Sequence, residues 1–221
     1  MDIVFLGYGN LGNTLEEFFT SFGSVEVLPL RTTSLDFFKR YVRNIKSKKI
    51  IFDIMDPNKI DDHTNDDLLV KAKEFRNIII NSKFIKHYIY FSTASIYVPC
   101  KKLVFETSKT LSETNSKYLD LKKSTELFLG ELNLPLTICR IPNIWGHLAS
   151  KSFFADLIEA YKKRKFIKYR NGDETVISYI NINDLCILIS VIIEKKLFGV
   201  INISTNSFNS RLVNCSNFIA C

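Results

Sequence analysis

Short apolar runs alternate with amphipathic stretches along most of the chain. Asp2–Leu6 reads as a buried strand, Gly7–Gly12 as a turn and Asn13–Phe22 as a helix. Val25–Leu30 is a second strand, Ser34–Lys46 a helix, and Ile50–Met55 a third strand running into Asp56-Pro57. The polar, acidic segment Lys59–Asp67 reads as a loop, followed by a helix from Asp67 to Ser82 and the aromatic strand His87–Phe91. Ser116–Leu132 has the spacing of an amphipathic helix, and Leu136–Ile141 that of another strand. Strands alternating with helices predict an α/β fold, a Rossmann-type doubly wound parallel sheet. Beyond Asn143 the pattern loosens into a helix at Phe153–Lys163, a strand at Val176–Ile180, an apolar helix at Asp184–Glu194 and a short strand at Val200–Ile203. Two units are expected: a dinucleotide-binding domain over 1–147 and a reduced substrate lobe over 148–221, interleaved with the first.

Composition narrows the class. The 221 residues are 46% apolar, ample for one core, and no run approaches the ~18 apolar residues of a membrane span. Met1-Asp2 leads straight into the first strand, without the basic start and cleavage site of a signal peptide, so a cytoplasmic protein is expected. Five cysteines are scattered, with no Cys-x-x-Cys pair. Cys139 and Cys186 lie in apolar runs and read as small buried hydrophobes. With three histidines, none near a cysteine in ligand spacing, no metal site is expected. The net charge of +7 suits phosphorylated small molecules as well as nucleic acid. The densest basic stretch, Lys162 to Lys165 followed by Lys168 and Arg170, reads as a solvated helix end, and no nucleic-acid motif accompanies it.

Two features carry chemistry. Gly7-Tyr8-Gly9-Asn10-Leu11-Gly12 follows the first strand and opens a helix, the context a dinucleotide fingerprint requires. The first glycine permits the tight turn, the second lets backbone amides approach a pyrophosphate, and the third lets the helix pack on the strand. At the end of the second strand an acidic residue would favour NAD. Arg31 stands there instead, with Thr32, Thr33 and Ser34 beside it, and an arginine suits the 2′-phosphate of NADP. The second feature is Tyr118 and Lys122, four residues apart and therefore on one helical face. A phenol ionises near pH 10 in water, and an ammonium one turn away favours the phenolate. Such a pair can exchange a proton with a substrate oxygen. Thr93, in Phe91-Ser92-Thr93-Ala94-Ser95-Ile96-Tyr97, places a hydroxyl at the carboxyl end of a central strand, where ligands bind in doubly wound sheets.

Together with Arg140-Ile-Pro-Asn-Ile-Trp-Gly146 and Ile180-Asn-Ile-Asn-Asp184-Leu, these segments resemble the extended short-chain dehydrogenase/reductases, in the epimerase/dehydratase group that acts on nucleotide sugars. The resemblance spans about residues 1–205. It implies Thr93 as the hydroxyl that polarises the substrate, with Ser95 beside it, Tyr118 as acid/base, and Lys122 as its partner and a ligand of the nicotinamide ribose. It also implies Asn143 near a substrate diphosphate and a homodimer through the Tyr118 helix and its predecessor. For Asp184 it implies bracing of the fold and not chemistry, and as a residue Asp184 reads as an N-cap of the helix that follows.

The chain departs from the family's pattern at several points. Leu6 stands where the first family glycine would fall, Ala94 and Ser95 replace the acidic pair of the sugar dehydratases, and Ile177 stands in place of a phosphate-contacting arginine. Ile54-Met55-Asp56 replaces small residues. The segment after Ser204 is shorter than in family members, which suggests a thinner substrate lobe or one completed by another subunit. The reading that follows is an NADP- or NAD-dependent reductase of a keto-sugar nucleotide. Its alternatives are an epimerase retaining NAD and a non-catalytic NADP-binding protein.

Overall fold

The computed structural model describes residues 1–55, 64–98, 103–112, 116–146, 153–163, 176–204 and 210–211. Its centre is a six-stranded parallel sheet in the order β2-β1-β3-β4-β5-β9. The strands are β1 (Asp2–Leu6), β2 (Ser24–Leu28), β3 (Lys49–Asp53), β4 (Ile85–Thr93), β5 (Leu136–Ile141) and β9 (Gly199–Asn202). The helices are α1 (Asn10–Thr20), α2 (Leu35–Asn44), α3 (Thr64–Ile80), α4 (Lys117–Gly130), α5 (Phe153–Lys162) and α6 (Ile182–Lys195). Two small sheets lie outside the main one. In one, β6 (Asn143–Trp145) pairs with β8 (Tyr179–Asn181); in the other, β7 (Val176–Ile177) pairs with β10 (Ser210–Arg211).

Strand alternation sorts the core into two layers. Phe5, Phe52, Ile89, Phe91 and Cys139 face one side, where Leu15 and Phe19 of α1 and Leu185 and Ile189 of α6 cover them. Leu6, Ile51, Tyr88, Tyr90 and Ile138 face the other, covered by Phe38 of α2, Phe75 of α3 and Leu129 of α4. Phe38 and Phe75 stack with ring centroids 3.9 Å apart, joining α2 to α3. Because both faces are covered, β4 is buried at eight of its nine positions, every one except Lys86. That explains why it extends beyond the aromatic run His87–Phe91 at both ends. Cys139 and Cys186 sit in the first layer, and burial pushes the Cys186 thiol up to about 11 and Cys139 higher still.

Local chemistry sets the helix boundaries. Ser34 caps α2 by accepting from the Phe37 N–H, and Ser116 caps α4 by accepting from the Leu119 N–H. Helix α6 begins two residues earlier than the sequence pattern suggests. Its cap is Asn181, which accepts from the Asn183 N–H at 2.9 Å, while Asp184 lies in the first turn, where it favours the helix dipole. Lys196 closes α6 in the left-handed conformation at φ 51°. The expected strand at Val176–Ile180 is split into β7 and β8. β6 was not anticipated, because three residues carry too little pattern to stand out. No helix among the described residues is long and apolar enough to cross a membrane.

At the amino-terminal end of the sheet, His87 is buried with its Nε2 2.6 Å from Thr137 Oγ1. The single Thr137 proton is donated to the Leu197 carbonyl, so the neutral imidazole donates from Nε2. Burial depresses the His87 pKa to about 4, below the 6.5 of an exposed histidine. Between those values the unfolded chain binds a proton that the folded chain refuses. Stability is therefore expected to fall as pH drops from 6.5 towards 4, by up to about 3 kcal/mol, and to be insensitive to this group above 6.5. Urea unfolding at a series of pH values checks this, with His87→Gln expected to show the shallower slope in that window.

Candidate functional site

Strand β1 lies between β2 and β3, so the chain winds outward from it in both directions and leaves a crevice at the carboxyl ends of β1 and β3. The glycine turn forms the edge of this crevice. Gly7 has φ 89°, and a Cβ there would stand 2.8 Å from Met55 Cα and 2.9 Å from the Ile54 carbonyl oxygen. The turn is pinned on both sides, with Gly7 N–H donating to Leu28 O at 3.0 Å and Ile54 N–H donating to Leu6 O at 2.9 Å. A Cβ at Gly12 would meet Ile54 Cδ1 at 2.7 Å, so this glycine lets α1 close onto the end of β3.

Gly9 differs from the other two. Nothing lies within 4 Å of the position its Cβ would take. It heads α1 in an extended conformation with no side-chain cap, and the first turn contains no acidic residue. The N–H groups of a helix's first turn have no acceptor within the helix and carry the positive end of its dipole. Open space before an uncapped helix terminus fits a pyrophosphate. The Tyr8 hydroxyl lies 2.7 Å from Asn13 Oδ1 and 2.8 Å from Glu16 Oε2, so its ring is drawn along α1. The hydrogen bond to Glu16 raises the Tyr8 pKa.

Beyond β2, Arg31 and Thr32 are exposed and have no ion pair or hydrogen bond among the described residues. The neighbouring hydroxyls are committed elsewhere. Thr33 is buried in a turn whose N–H donates to Pro29 O, and Ser34 caps α2.

At the end of β4, Thr93 is buried and its Oγ1 accepts from the Ser95 N–H at 3.2 Å, capping a 3-10 turn over Ala94–Ile96. That bond uses the oxygen and leaves the hydroxyl proton free to be donated. Ser95 is exposed on the turn. Lys122 is 5% exposed, and its Nζ donates to Phe91 O at 2.6 Å, two residues before Thr93. The same Nζ lies 5.6 Å from the Tyr118 ring centroid and 5.1 Å from that of Tyr90. Lys122 thus moors α4 to the end of β4 and brings half-buried Tyr118 to the end of the sheet that carries Thr93.

A second group of polar contacts fixes the surrounding segments. Arg140 in β5 reaches Glu126, one turn after Lys122, with Nη2 2.7 Å and Nε 3.2 Å from Oε2. Its Nη1 donates to the Tyr97 hydroxyl at 2.7 Å and to Glu106 O at 3.1 Å. Burial works against the guanidinium charge, but hydrogen bonds with Glu126 and Tyr97 outweigh it and raise the Arg140 pKa. Tyr97 donates to Asn202 Oδ1 at 2.6 Å, and Asn202 in turn holds Glu106 and Val104. The segment 103–112 is therefore tied to α4, β5 and β9.

Glu126, Tyr97, Glu106 and Asn202 were not singled out from the sequence. The available signal was Arg140 itself, a charge inside an otherwise apolar strand that must find a partner. Asn143, at the start of β6, donates both its N–H and its Nδ2 to Ser178 O, at 3.1 and 3.2 Å. It lies two residues past Ile141, which pairs with Thr93. Asp56, Lys168, Arg170 and the side chain of Ile177 lie outside the described residues. Among the described residues no cluster of potential metal ligands occurs.

No protein-family model matches the sequence, and a search of curated proteins finds no match. Solved structures do share the fold. A dTDP-4-dehydrorhamnose reductase from Clostridium acetobutylicum superposes with a TM-score of 0.77 at 16% identity, covering 100% of this chain and 80% of that one. UDP-glucose 4-epimerase from Thermus thermophilus, in complex with NAD, gives 0.77 at 15% identity, covering 100% and 82%. The Bordetella bronchiseptica enzyme WbmG, in complex with NAD and UDP, gives 0.76 at 16% identity, covering 99% and 78%. At these identities the likeness establishes the fold, the Rossmann-type sheet anticipated above.

Gly7 and Gly9 are expected to respond differently to an added methyl group. Gly7→Ala, strained at positive φ and blocked by backbone, should lose roughly 2–4 kcal/mol of stability. Gly9→Ala should stay within about 1 kcal/mol of the parent and, on the dinucleotide reading of this turn, weaken NAD(P)H binding roughly tenfold or more. Urea unfolding paired with nicotinamide fluorescence titration separates the two effects.

Proposed function

We propose that the protein is an NADP-dependent reductase of a keto-sugar nucleotide, with Tyr118 as the proton donor. The observation that carries this reading is the arrangement around Lys122, which ties Tyr118 to the strand end bearing Thr93, on the same edge of the sheet as the open glycine turn. In the coarser form, an NAD(P)-dependent enzyme modifying nucleotide sugars, it is supported by the fold shared with both a reductase and epimerases of such substrates. A bound nicotinamide would supply the hydride to the carbonyl carbon.

The chain's own residues would do the rest. The Thr93 hydroxyl donates to the carbonyl oxygen, and Tyr118 delivers a proton to that oxygen as the bond order falls. Lys122 presents positive charge to the phenolate left behind and contacts the nicotinamide ribose. Asn10, Leu11 and Gly12 hold the pyrophosphate from the helix terminus. Ser95 and Asn143 line the substrate side. Arg31 and Thr32, unspent at the end of β2, receive the 2′-phosphate that distinguishes NADP.

A second reading, an epimerase that keeps NAD bound through an oxidation and a re-reduction, is favoured by the NAD present in several structures of this fold. A non-catalytic NADP-binding protein is the third. A homodimer across α3 and α4 is also proposed, supported by exposed Val70, Leu127 and Phe128 on those helices.

Incubation with keto-sugar nucleotides and NADPH tests the leading reading. Oxidation of the coenzyme supports it, isomerised product without net oxidation selects the epimerase, and binding without turnover selects the third. Tyr118→Phe should lower turnover roughly 100-fold or more while leaving coenzyme affinity within about threefold. Arg31→Ala should weaken NADPH and spare NADH, narrowing the preference by roughly tenfold. Trp145, the only tryptophan and 40% exposed two residues after Asn143, provides a fluorescence signal for nucleotide-sugar binding that does not depend on turnover.

A further inference from the structure

The face of β4 that meets α3 and α4 carries two fully buried tyrosines, Tyr88 and Tyr90. The Tyr88 hydroxyl donates to Asp53 Oδ2 at 2.7 Å. Asp53, wholly buried at the end of β3, also accepts from Arg76 Nε at 2.7 Å, from Arg76 Nη2 at 3.0 Å and from the Met55 N–H at 3.2 Å. Its carboxylate therefore holds the Arg76 guanidinium in a two-point grip. That guanidinium lies with Cζ 5.6 Å from the Tyr90 ring centroid, and Lys122 Nζ lies 5.1 Å from the same centroid. One aromatic ring is thus approached by two cations, Arg76 from α3 and Lys122 from α4.

Tyr90 and Asp53 pair in register across β4 and β3, so the arrangement sits directly beneath the crevice. An ammonium that is 5% exposed must recover the hydration it has lost. The Phe91 carbonyl supplies one strong hydrogen bond, and the negative face of an aromatic ring supplies further attraction, larger where water is excluded. A lysine stem has four flexible carbons, and without such a seat the charged end swings towards solvent.

We propose that Tyr90 is a positioning residue for Lys122: its ring seats the ammonium beneath Tyr118, and the Asp53–Arg76 pair fixes that ring from the α3 side. The role given to Lys122 rests on the function proposed above, whereas its placement does not.

The test therefore includes a reading that needs no turnover. Protons on the Lys122 ε-carbon, close to two aromatic rings, should resonate upfield of exposed lysines in the NMR spectrum of the full chain, assigned by loss of the signal in Lys122→Arg. Tyr90→Phe keeps the ring and should keep both the shifted signal and kcat within about threefold. Tyr90→Leu and Tyr90→Met remove the ring; the signal should lose more than half of its offset and kcat should fall roughly 3- to 30-fold, the range a cation–ring contact spans, with KM for the sugar nucleotide changing less. An unshifted Lys122 signal in the parent protein overturns the proposal without any variant. Equal damage from Tyr90→Phe and Tyr90→Leu also overturns it, since the hydroxyl rather than the ring would then be responsible. A parent protein with the shifted signal but no turnover removes the enzymatic reading and leaves the seat intact.

Discussion

The hydrogen bond from the Lys122 ammonium to the Phe91 carbonyl is the contact on which the rest of the site depends. The pairing of β3 with β4 ends at Asp53 and Tyr90, one residue before Phe91, so the end of β4 runs past its neighbour and offers a carbonyl to a side chain. Lys122 finds it there, and the 2.6 Å contact sets how closely the start of α4 approaches β4. The position of Tyr118, one turn earlier on α4, follows from that distance and from helix geometry. On the other side of the same strand end, the Thr93 hydroxyl is oriented by the turn it caps. One buried charge therefore sets Tyr118, and does so at the strand end that carries Thr93.

Two buried ion pairs flank it, Asp53–Arg76 towards the crevice and Glu126–Arg140 towards β9. Such pairs contribute little net stability compared with well-packed apolar residues, because desolvation of the charges offsets most of their attraction. What they add is direction. Each carboxylate accepts from two guanidinium nitrogens, and each guanidinium lies against an aromatic ring of the next segment, Tyr90 in one case and Tyr97 in the other. Removing either partner would leave a charge stranded in the core, so the segments they join are held in a single arrangement.

The sheet, its order of strands and helices, and the glycine turn were legible because they rest on periodicity and on steric rules that act locally. β1 and β5 matched the expected limits, and most other ends differed by a few residues, where caps such as Gly9 and Asn181 decide the boundary. Tyr118 and Lys122 were legible for the same reason, as two positions on one helical face. The supporting network was not. Asp53 and Arg76 are 23 residues apart and Tyr97 and Asn202 are 105 apart, and nothing in the intervening sequence announces that they meet. Glu126 lies at helical spacing from Lys122 and resembles an ordinary surface pair until the strand beneath it supplies Arg140. β6 and β8 are likewise defined only by each other.

The buried carboxylates also constrain the chemistry. Removal of water from a sugar needs an acid and a base besides the tyrosine, and Ala94 and Ser95 at the end of β4 supply neither. Among the described residues, the buried carboxylates of this half of the sheet are already occupied: Asp53 by Arg76, Tyr88 and the Met55 amide, and Glu126 by Arg140. Glu106 is likewise engaged, accepting from the Asn202 amide. In the function proposed above, proton exchange at the substrate oxygen would fall to the hydroxyls of Tyr118 and Thr93 and not to these carboxylates. With a bound nicotinamide as hydride donor, those two hydroxyls would serve the reduction of a carbonyl or the oxidation of a carbinol, whereas eliminating water would call for a further acid and base.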